Sequence, residues 1–306
     1  MGDKWTAEMM PDLHGKLAIV TGANSGLGFI TALELARHGA RVVVASRNVE
    51  NGELAAREIA AAVAGPEPIT RQLDLSRLDS VRRFAAEFTG APVDLLVNNA
   101  GVMMTPHQTT KDGFELQLGV NHLGHFALTG LLLESIERSV AGRIVTVSSI
   151  EHRGGHIDFD DLQQERKYSP RGAYQRSKLA NAVFAIELDR RLRRAHSAAI
   201  SVFAHPGYSD TNLLRNGPTG AIKMVFALSN RVVAQPPERG ALPILYAATA
   251  EGVEGGAYYG PDGFAELRGY PKLVTAIPDA YDAQLAQRLW HVSEELTGVH
   301  YHLTAA

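Results

Sequence analysis

The sequence predicts a doubly wound (Rossmann-type) α/β fold, in which helices cover both faces of a parallel sheet. Three observations carry that prediction. Short β-rich runs alternate with helical patterns through the first two thirds of the chain. A glycine loop joins the first strand to the first helix. No Pro/Gly/Ser-rich linker, internal repeat or low-complexity segment divides the 306 residues, so one domain spanning 1–306 is expected.

The strand candidates, in order, are 17–21, 41–46, 69–73, 93–98, 143–148 and 199–204. Val, Ile and Leu dominate most of them, as strands buried on both faces require. Between them 28–38, 49–64, 76–88, 114–139 and 172–194 read as helices, with Ala, Leu, Glu and Arg supplying the propensity. After Ala204 the pattern turns irregular, through Pro206, Gly207, Gly217, Pro218, Gly220 and Pro236-Pro237. A helix-like stretch follows at 238–250, then a short strand between turns within 251–263. The expected strand order is 3-2-1-4-5-6-7. Segment 208–237, with Met224 and Phe226, lies where ligands bind in open α/β sheets and is expected to be a mobile substrate lid.

Composition narrows the function. With 30 basic against 33 acidic residues and no sustained basic segment, nucleic acid is not an expected partner. The absence of cysteine removes disulfides, thiolate metal sites and thiol nucleophiles. Residues 1–16 lack the basic-then-apolar order of a signal peptide, and the longest apolar run, 126–133, is far short of the ~20 residues that span a bilayer. A soluble, cytoplasmic protein is expected.

Two motifs carry chemistry. Thr21-Gly22-Ala23-Asn24-Ser25-Gly26-Leu27-Gly28 follows the first strand and opens the first helix. Its glycines let the backbone approach a pyrophosphate, and the free N–H groups at the helix start favour that charge. Tyr174-Gln175-Arg176-Ser177-Lys178 sets a phenol and an ammonium four residues apart, on one helical face. A fixed cation beside a tyrosine favours the phenolate and suits acid–base work.

The G-x-x-x-G-x-G spacing resembles the short-chain dehydrogenase/reductase family, and further motifs extend that resemblance from Thr21 to Thr211. Asn98-Asn99-Ala100-Gly101 ends the fourth strand; Asp74, followed by Leu75, matches the aspartate that contacts adenine; Pro206-Gly207 and Thr211 resemble the segment near the nicotinamide carboxamide. By this resemblance Tyr174 exchanges a proton with a carbonyl or alcohol, Lys178 lowers the phenol pKa and holds the nicotinamide ribose, and Ser149 hydrogen-bonds the substrate oxygen. Asn121 helps hold a water between Lys178 and solvent. Ser148 is the alternative serine. The 25 residues between Ser149 and Tyr174 resemble the branch containing retinol dehydrogenases, WW-domain oxidoreductases and protochlorophyllide reductases, without the membrane-anchoring segment of that branch.

Cofactor choice follows from the same resemblance. NAD-preferring members usually carry an acidic residue 24 positions beyond the first loop glycine, where this chain has Ser46 followed by Arg47. A guanidinium there suits a 2′-phosphate, with Asn24 and Ser25 as neutral donors, although Glu50 is close enough in sequence to offset it. NADP(H) is therefore the expected cofactor and a small-molecule carbonyl or alcohol the expected substrate. An idle NADP(H)-binding scaffold and a C=C reductase are the alternatives.

Other features have plainer readings. His122, His125, His152 and His156 are not expected to bind metal, because no carboxylate completes a ligand set. Arg190, Arg191, Arg193 and Arg194 complement a helix C-terminus. Tyr258, Tyr259, Phe264, Tyr270 and Trp290 are expected to pack a core. Two long helices resemble those that many family members pair across subunits, which makes a homo-oligomer an open expectation.

Overall fold

Strand residues that alternate in direction bury two apolar faces at once, and helices pack against both of them. In a computed structural model describing residues 4–208 and 235–303, eight strands form one sheet in the order β3-β2-β1-β4-β5-β6-β7-β8. They are β1 (Leu17–Thr21), β2 (Arg41–Ser46), β3 (Ile69–Gln72), β4 (Leu95–Asn98), β5 (Arg143–Val147), β6 (Ile200–Ala204), β7 (Tyr258–Pro261) and β8 (Pro271–Leu273). All neighbours pair parallel except β7 and β8, which are antiparallel. The expected order of seven is thus present, with an added edge strand. β8 has only three residues and starts at a proline, which suits an edge and leaves almost no period to read in sequence.

On one face Ala18, Val20, Val42 and Val44 meet Ala32 and Leu35 of α1 (Gly26–Arg37), Ile59 of α2 (Val49–Ala62), and Ile244 and Leu245 of α6 (Pro237–Thr249). On the other, Ile19, Val43, Leu96 and Ile144 meet Phe84 of α3 (Leu78–Ala86), Phe126 and Leu132 of α4 (Gly124–Glu137), and Phe184 and Leu188 of α5 (Pro170–Arg194). A third cluster packs Leu179 and Val183 of α5 and Leu289 of α7 (Ala283–Thr297) with Phe203 and Tyr258. Tyr258 and Trp290 are core residues, whereas Phe264 is 90% exposed. Among the described residues no helix is long and apolar enough to cross a membrane.

The helix expected over 114–139 is interrupted. Glu115 caps a short turn, Leu116–Leu118, by accepting from Gln117 N at 2.9 Å and Leu118 N at 2.8 Å. A π-helical turn, Gly119–Leu123, then leads into α4. Such turns place one extra residue in a helix and recur at functional sites; here it carries Asn121. Helix α5 starts at Pro170 rather than 172, because Ser169 Oγ accepts from Gly172 N at 3.1 Å and proline is suited to the first helical position. Thr211 and most of the lid expected over 208–237, with Met224 and Phe226, lie outside the described residues.

Candidate active site

The carboxyl ends of β1, β2, β4 and β5 open on a cleft of about 410 Å³. At one end is the glycine loop. Gly22 and Gly26 have φ of 67° and 56°, and a Cβ on Gly28 would stand 2.5 Å from both Gly22 O and Asn99 Nδ2. That cradle exists only without a side chain there. Ser25 at the start of α1 makes no side-chain cap, so the N–H groups of the first turn are left for an anion such as a pyrophosphate.

The loop is fixed from behind. Thr21 Oγ1 accepts from Asn99 N and Ala100 N, each at 2.9 Å, while Asn99 Nδ2 donates to Thr21 O at 2.8 Å. His125 ties the same threonine to the π-helical turn: its Nδ1 donates to Asn121 O at 3.0 Å and its Nε2 lies 2.9 Å from Thr21 Oγ1. Burial pushes this imidazole down to about 4, so it stays neutral.

Asn121 itself braces the wall of the cleft. Its Oδ1 accepts from Val102 N at 2.8 Å, and its Nδ2 donates to Val102 O and Ser177 Oγ, each at 2.9 Å. A Cβ on Gly101 would stand 3.0 Å from Asn121 Oδ1 and 3.7 Å from Lys178 Nζ. The turn after β4, the π-helical turn and α5 therefore meet at one point.

Tyr174 and Lys178 share a face of α5, with Lys178 Nζ 5.8 Å from the centre of the Tyr174 ring. Lys178 Nζ donates to Val147 O at 3.0 Å, and burial brings its ammonium down to about 8. The Tyr174 phenol is pushed up to about 12, chiefly by burial; hydrogen bonding to Ser149 lowers it, and the nearby Glu151 charge raises it. Desolvation is thus the largest influence on this phenol in the protein alone. Both groups are then protonated at neutral pH. Ser148 and Ser149 both line the cleft, but the Ser148 hydroxyl donates to Lys178 O at 2.8 Å and so fastens β5 to α5.

At the far end Ser46 and Arg47 line the cleft with Asn48 and Asn51 of the α2 entry, and among the described residues Arg47 forms no ion pair. Asn24, Ser25, Gly26, Leu27, Ala100, Gly101, Pro206 and Gly207 line it as well. Four described sequence candidates do not: Asn121, whose amide is engaged by Val102 and Ser177, and three others. Asp74 accepts from Ser76 N and Oγ at 3.0 and 2.6 Å, Leu75 packs in the core, and Asn98 is fully buried, donating to Thr129 Oγ1 at 2.9 Å. Sequence reasoning missed Asn48, Asn51, Met103, Met104 and Glu151 in the lining, while Tyr208, which also lines it, is the first residue of the expected substrate segment. Only Asn48 left a signal: it caps α2 by accepting from Asn51 N at 2.9 Å.

The histidines serve other ends. His122 Nε2 meets Ser293 Oγ at 3.0 Å in the core, and burial lowers its pKa to about 3. His152 Nδ1 donates to Ser149 O at 2.7 Å. Among the described residues no group of three metal-ligating side chains is assembled.

Known proteins agree with this architecture. The short chain dehydrogenase family model matches residues 16–219. Homo sapiens retinol dehydrogenase 13 is 44% identical over 298 residues, covering 94% of this chain and 86% of that protein. The crystal structure of an uncharacterized protein from Mycobacterium paratuberculosis shares 42% identity with a TM-score of 0.82, covering 98% of this chain and 100% of the other. A Pseudomonas aeruginosa RhlG/NADP active-site complex, 25% identical, superposes with a TM-score of 0.63 over 82% of this chain and 96% of that one. A family match over two thirds of the sequence and a relative above 40% identity across nearly all of it agree with the cleft: the chain belongs to the short-chain dehydrogenase family, oxidoreductases whose fold takes NAD(P).

Proposed function

We propose that this protein interconverts a carbonyl compound and its alcohol with NADP(H), using Tyr174, Lys178, Ser149 and Asn121. The observation that carries the reading is one cleft with a proton donor at one end and, at the other, Arg47, which has no carboxylate partner among the described residues. Residues that fit the cofactor are the glycine loop for the pyrophosphate, Ser46, Arg47, Asn48 and Asn51 for the 2′-phosphate end, and Pro206-Gly207 for the nicotinamide end. Asp74, Leu75, Asn98 and Thr211 remain proposed contacts by resemblance. The bound cofactor supplies the hydride.

The chain's residues then manage the oxygen. In reduction, the Tyr174 phenol gives its proton to the carbonyl oxygen as charge develops there, and the Ser149 hydroxyl donates to the same atom. Lys178 stabilises the phenolate left behind. In oxidation Tyr174 must first lose its proton, which its burial opposes until positive charge accumulates beside it. Val102, Met103, Met104 and Ile150 make the neighbouring wall mostly apolar. Together with a relative named for retinol, this supports an apolar alcohol or aldehyde as substrate.

Titration by nicotinamide fluorescence tests the cofactor reading. NADPH should bind about ten- to a hundred-fold more tightly than NADH, since a hydrogen bond to a charged group contributes roughly 1.5–3 kcal/mol. Ser46→Asp with Arg47→Ala should invert the order. Equal affinities in the unaltered protein would overturn the assignment. A panel of aldehydes, ketones and enones then separates carbonyl reduction from C=C reduction, and cofactor binding with no turnover on any of them would favour an idle scaffold.

A further inference from the structure

Strand β6 runs into His205, Pro206 and Gly207, and a chain of hydrogen bonds leads away from that turn. His205 is fully buried, and its Nδ1 accepts from Gly207 N at 3.2 Å. An imidazole nitrogen that accepts carries no proton, so the ring N–H sits on Nε2, where it donates to Glu266 Oε2 at 3.1 Å. The same carboxylate oxygen accepts from Arg153 Nη2 at 2.8 Å. Both partners hold the Glu266 carboxyl down at about 2, so it is charged throughout the working range.

The backbone around Glu266 is unusual. Ala265 and Glu266 are consecutive non-glycine residues with φ of 50° and 57°, a left-handed conformation that persists only where the surroundings over-determine it. Those surroundings are the Pro206-Gly207 turn. Tyr208 N donates to Leu267 O at 2.7 Å, Gly207 has φ of 66°, and a Cβ on Gly207 would stand 2.4 Å from Leu267 O. The connection between β7 and β8 is thus seated directly against the turn after β6.

Arg153 brings in the opposite side. It lies in the turn Ile150–Gly154 that starts immediately after Ser149, and its neighbour His152 donates to Ser149 O. One carboxylate therefore joins the turn that carries Ser149 to the turn that carries Gly207, and both turns line the reaction end of the cleft.

We propose that Glu266 is a positioning residue: through His205 it sets the Gly207 backbone, and through Arg153 it sets the turn bearing Ser149, so that the nicotinamide end of the cofactor is held against the substrate oxygen. This rests on the reading that the Pro206-Gly207 side receives the nicotinamide. Glu266 itself is not among the residues that line the cleft. Its loss should loosen one end of the cofactor and leave the other alone.

The test uses the full chain and two probes, NADPH and adenosine 2′,5′-bisphosphate, which carries the adenine and the 2′-phosphate but no nicotinamide. Glu266→Ala should weaken NADPH about five- to twenty-fold while the bisphosphate affinity stays within about two-fold. Glu266→Gln keeps one acceptor oxygen in place and should fall between that variant and the unaltered protein, which also covers the case in which Glu266→Ala folds poorly. Nitrogen-15 shifts of His205 should report a single Nε2–H form in the unaltered protein and in Glu266→Gln, and mixed forms in Glu266→Ala. Equal weakening of both probes in Glu266→Gln, or no change in either, overturns the positioning role. Failure of the unaltered protein to bind either probe overturns the cofactor reading itself and this inference with it.

Discussion

Replacing Lys178 by methionine should make the protein more stable while abolishing its chemistry. The side chain is 5% exposed, and burial brings the ammonium from lysine's ordinary 10.5 down to about 8. At 1.36 kcal/mol per pH unit, holding this charge in the folded protein costs about 3 kcal/mol at neutral pH. The lost hydrogen bond leaves no orphan, because Val147 O also accepts from Asn181 Nδ2 at 3.2 Å. Below pH 8 the lysine is charged in both the folded and unfolded states and the cost is present in full. Between about 8 and 10.5 the unfolded chain binds the proton that the folded one has released, so unaltered protein gains stability as pH rises. Urea unfolding at pH 7, 8.5 and 10 should therefore show Lys178→Met ahead by about 2–3 kcal/mol at pH 7, the gap closing towards pH 10.5. Taking the difference between the two proteins removes titrations they share. A variant less stable at pH 7, or a gap that ignores pH, would refute the argument that burial of this charge is uncompensated.

Tyr174→Phe should lower kcat by about 10²- to 10⁴-fold with NADPH binding nearly unchanged, since the buried ring remains and only the proton is lost; near-normal turnover would remove Tyr174 from the mechanism. Ser149→Ala should be as severe in steady-state assays, whereas Ser148→Ala, losing a bond to Lys178 O, should mainly cost about 1 kcal/mol of stability. Glu115→Ala strips the 3.2 Å partner from the buried Arg176 guanidinium and should cost about 3–5 kcal/mol in chemical denaturation, with Glu115→Gln plus Arg176→Met recovering much of it. His125 and His152 are each held near 4 by burial, so the unfolded chain binds more protons between about 4 and 6.5 and stability falls as pH drops through that window. Acid unfolding followed by circular dichroism should move to lower pH in His152→Gln, and an unmoved midpoint would count against that coupling.

Much of this could be read from the sequence because it repeats locally. Strands β1 and β2 have the expected bounds because Val, Ile and Ala fill both faces, and the glycine loop is visible because its spacing is short. What escaped was set by distant partners. The break before α4 depends on Glu115 turning back to cap Gln117 and Leu118, and on Asn121 bonding Val102; a window over 114–139 sees only continuous helical propensity. The start of α5 was legible in principle, since Ser169-Pro170 is a cap followed by a first-turn proline. Asp74 follows the family pattern in sequence, and no motif records that its Oδ1 accepts from Ser76 N and Oγ.

The histidines show why the reaction end was the least legible part. In sequence they suggest ligands, because imidazoles near one another are how metals are bound. In the fold three buried histidines, His125, His152 and His205, are neutral rings offering one N–H and one lone pair at fixed angles, and they brace the three turns that meet at the chemistry. His125 spans from Asn121 O to Thr21, His152 from Ser149 O to Ile277 N, and His205 from Gly207 N to Glu266. Their partners put the proton on Nδ1 in the first two and on Nε2 in the third. A lysine in any of these places offers no acceptor and a carboxylate no donor, while a serine is too short to bridge two elements. Burial, which lowers the pKa of all three, keeps them in the uncharged form this task requires. The residues that do chemistry announce themselves by spacing; the residues that aim them are chosen by tautomer and reach, and those become readable only once the strands have brought positions far apart in sequence to one edge of the sheet.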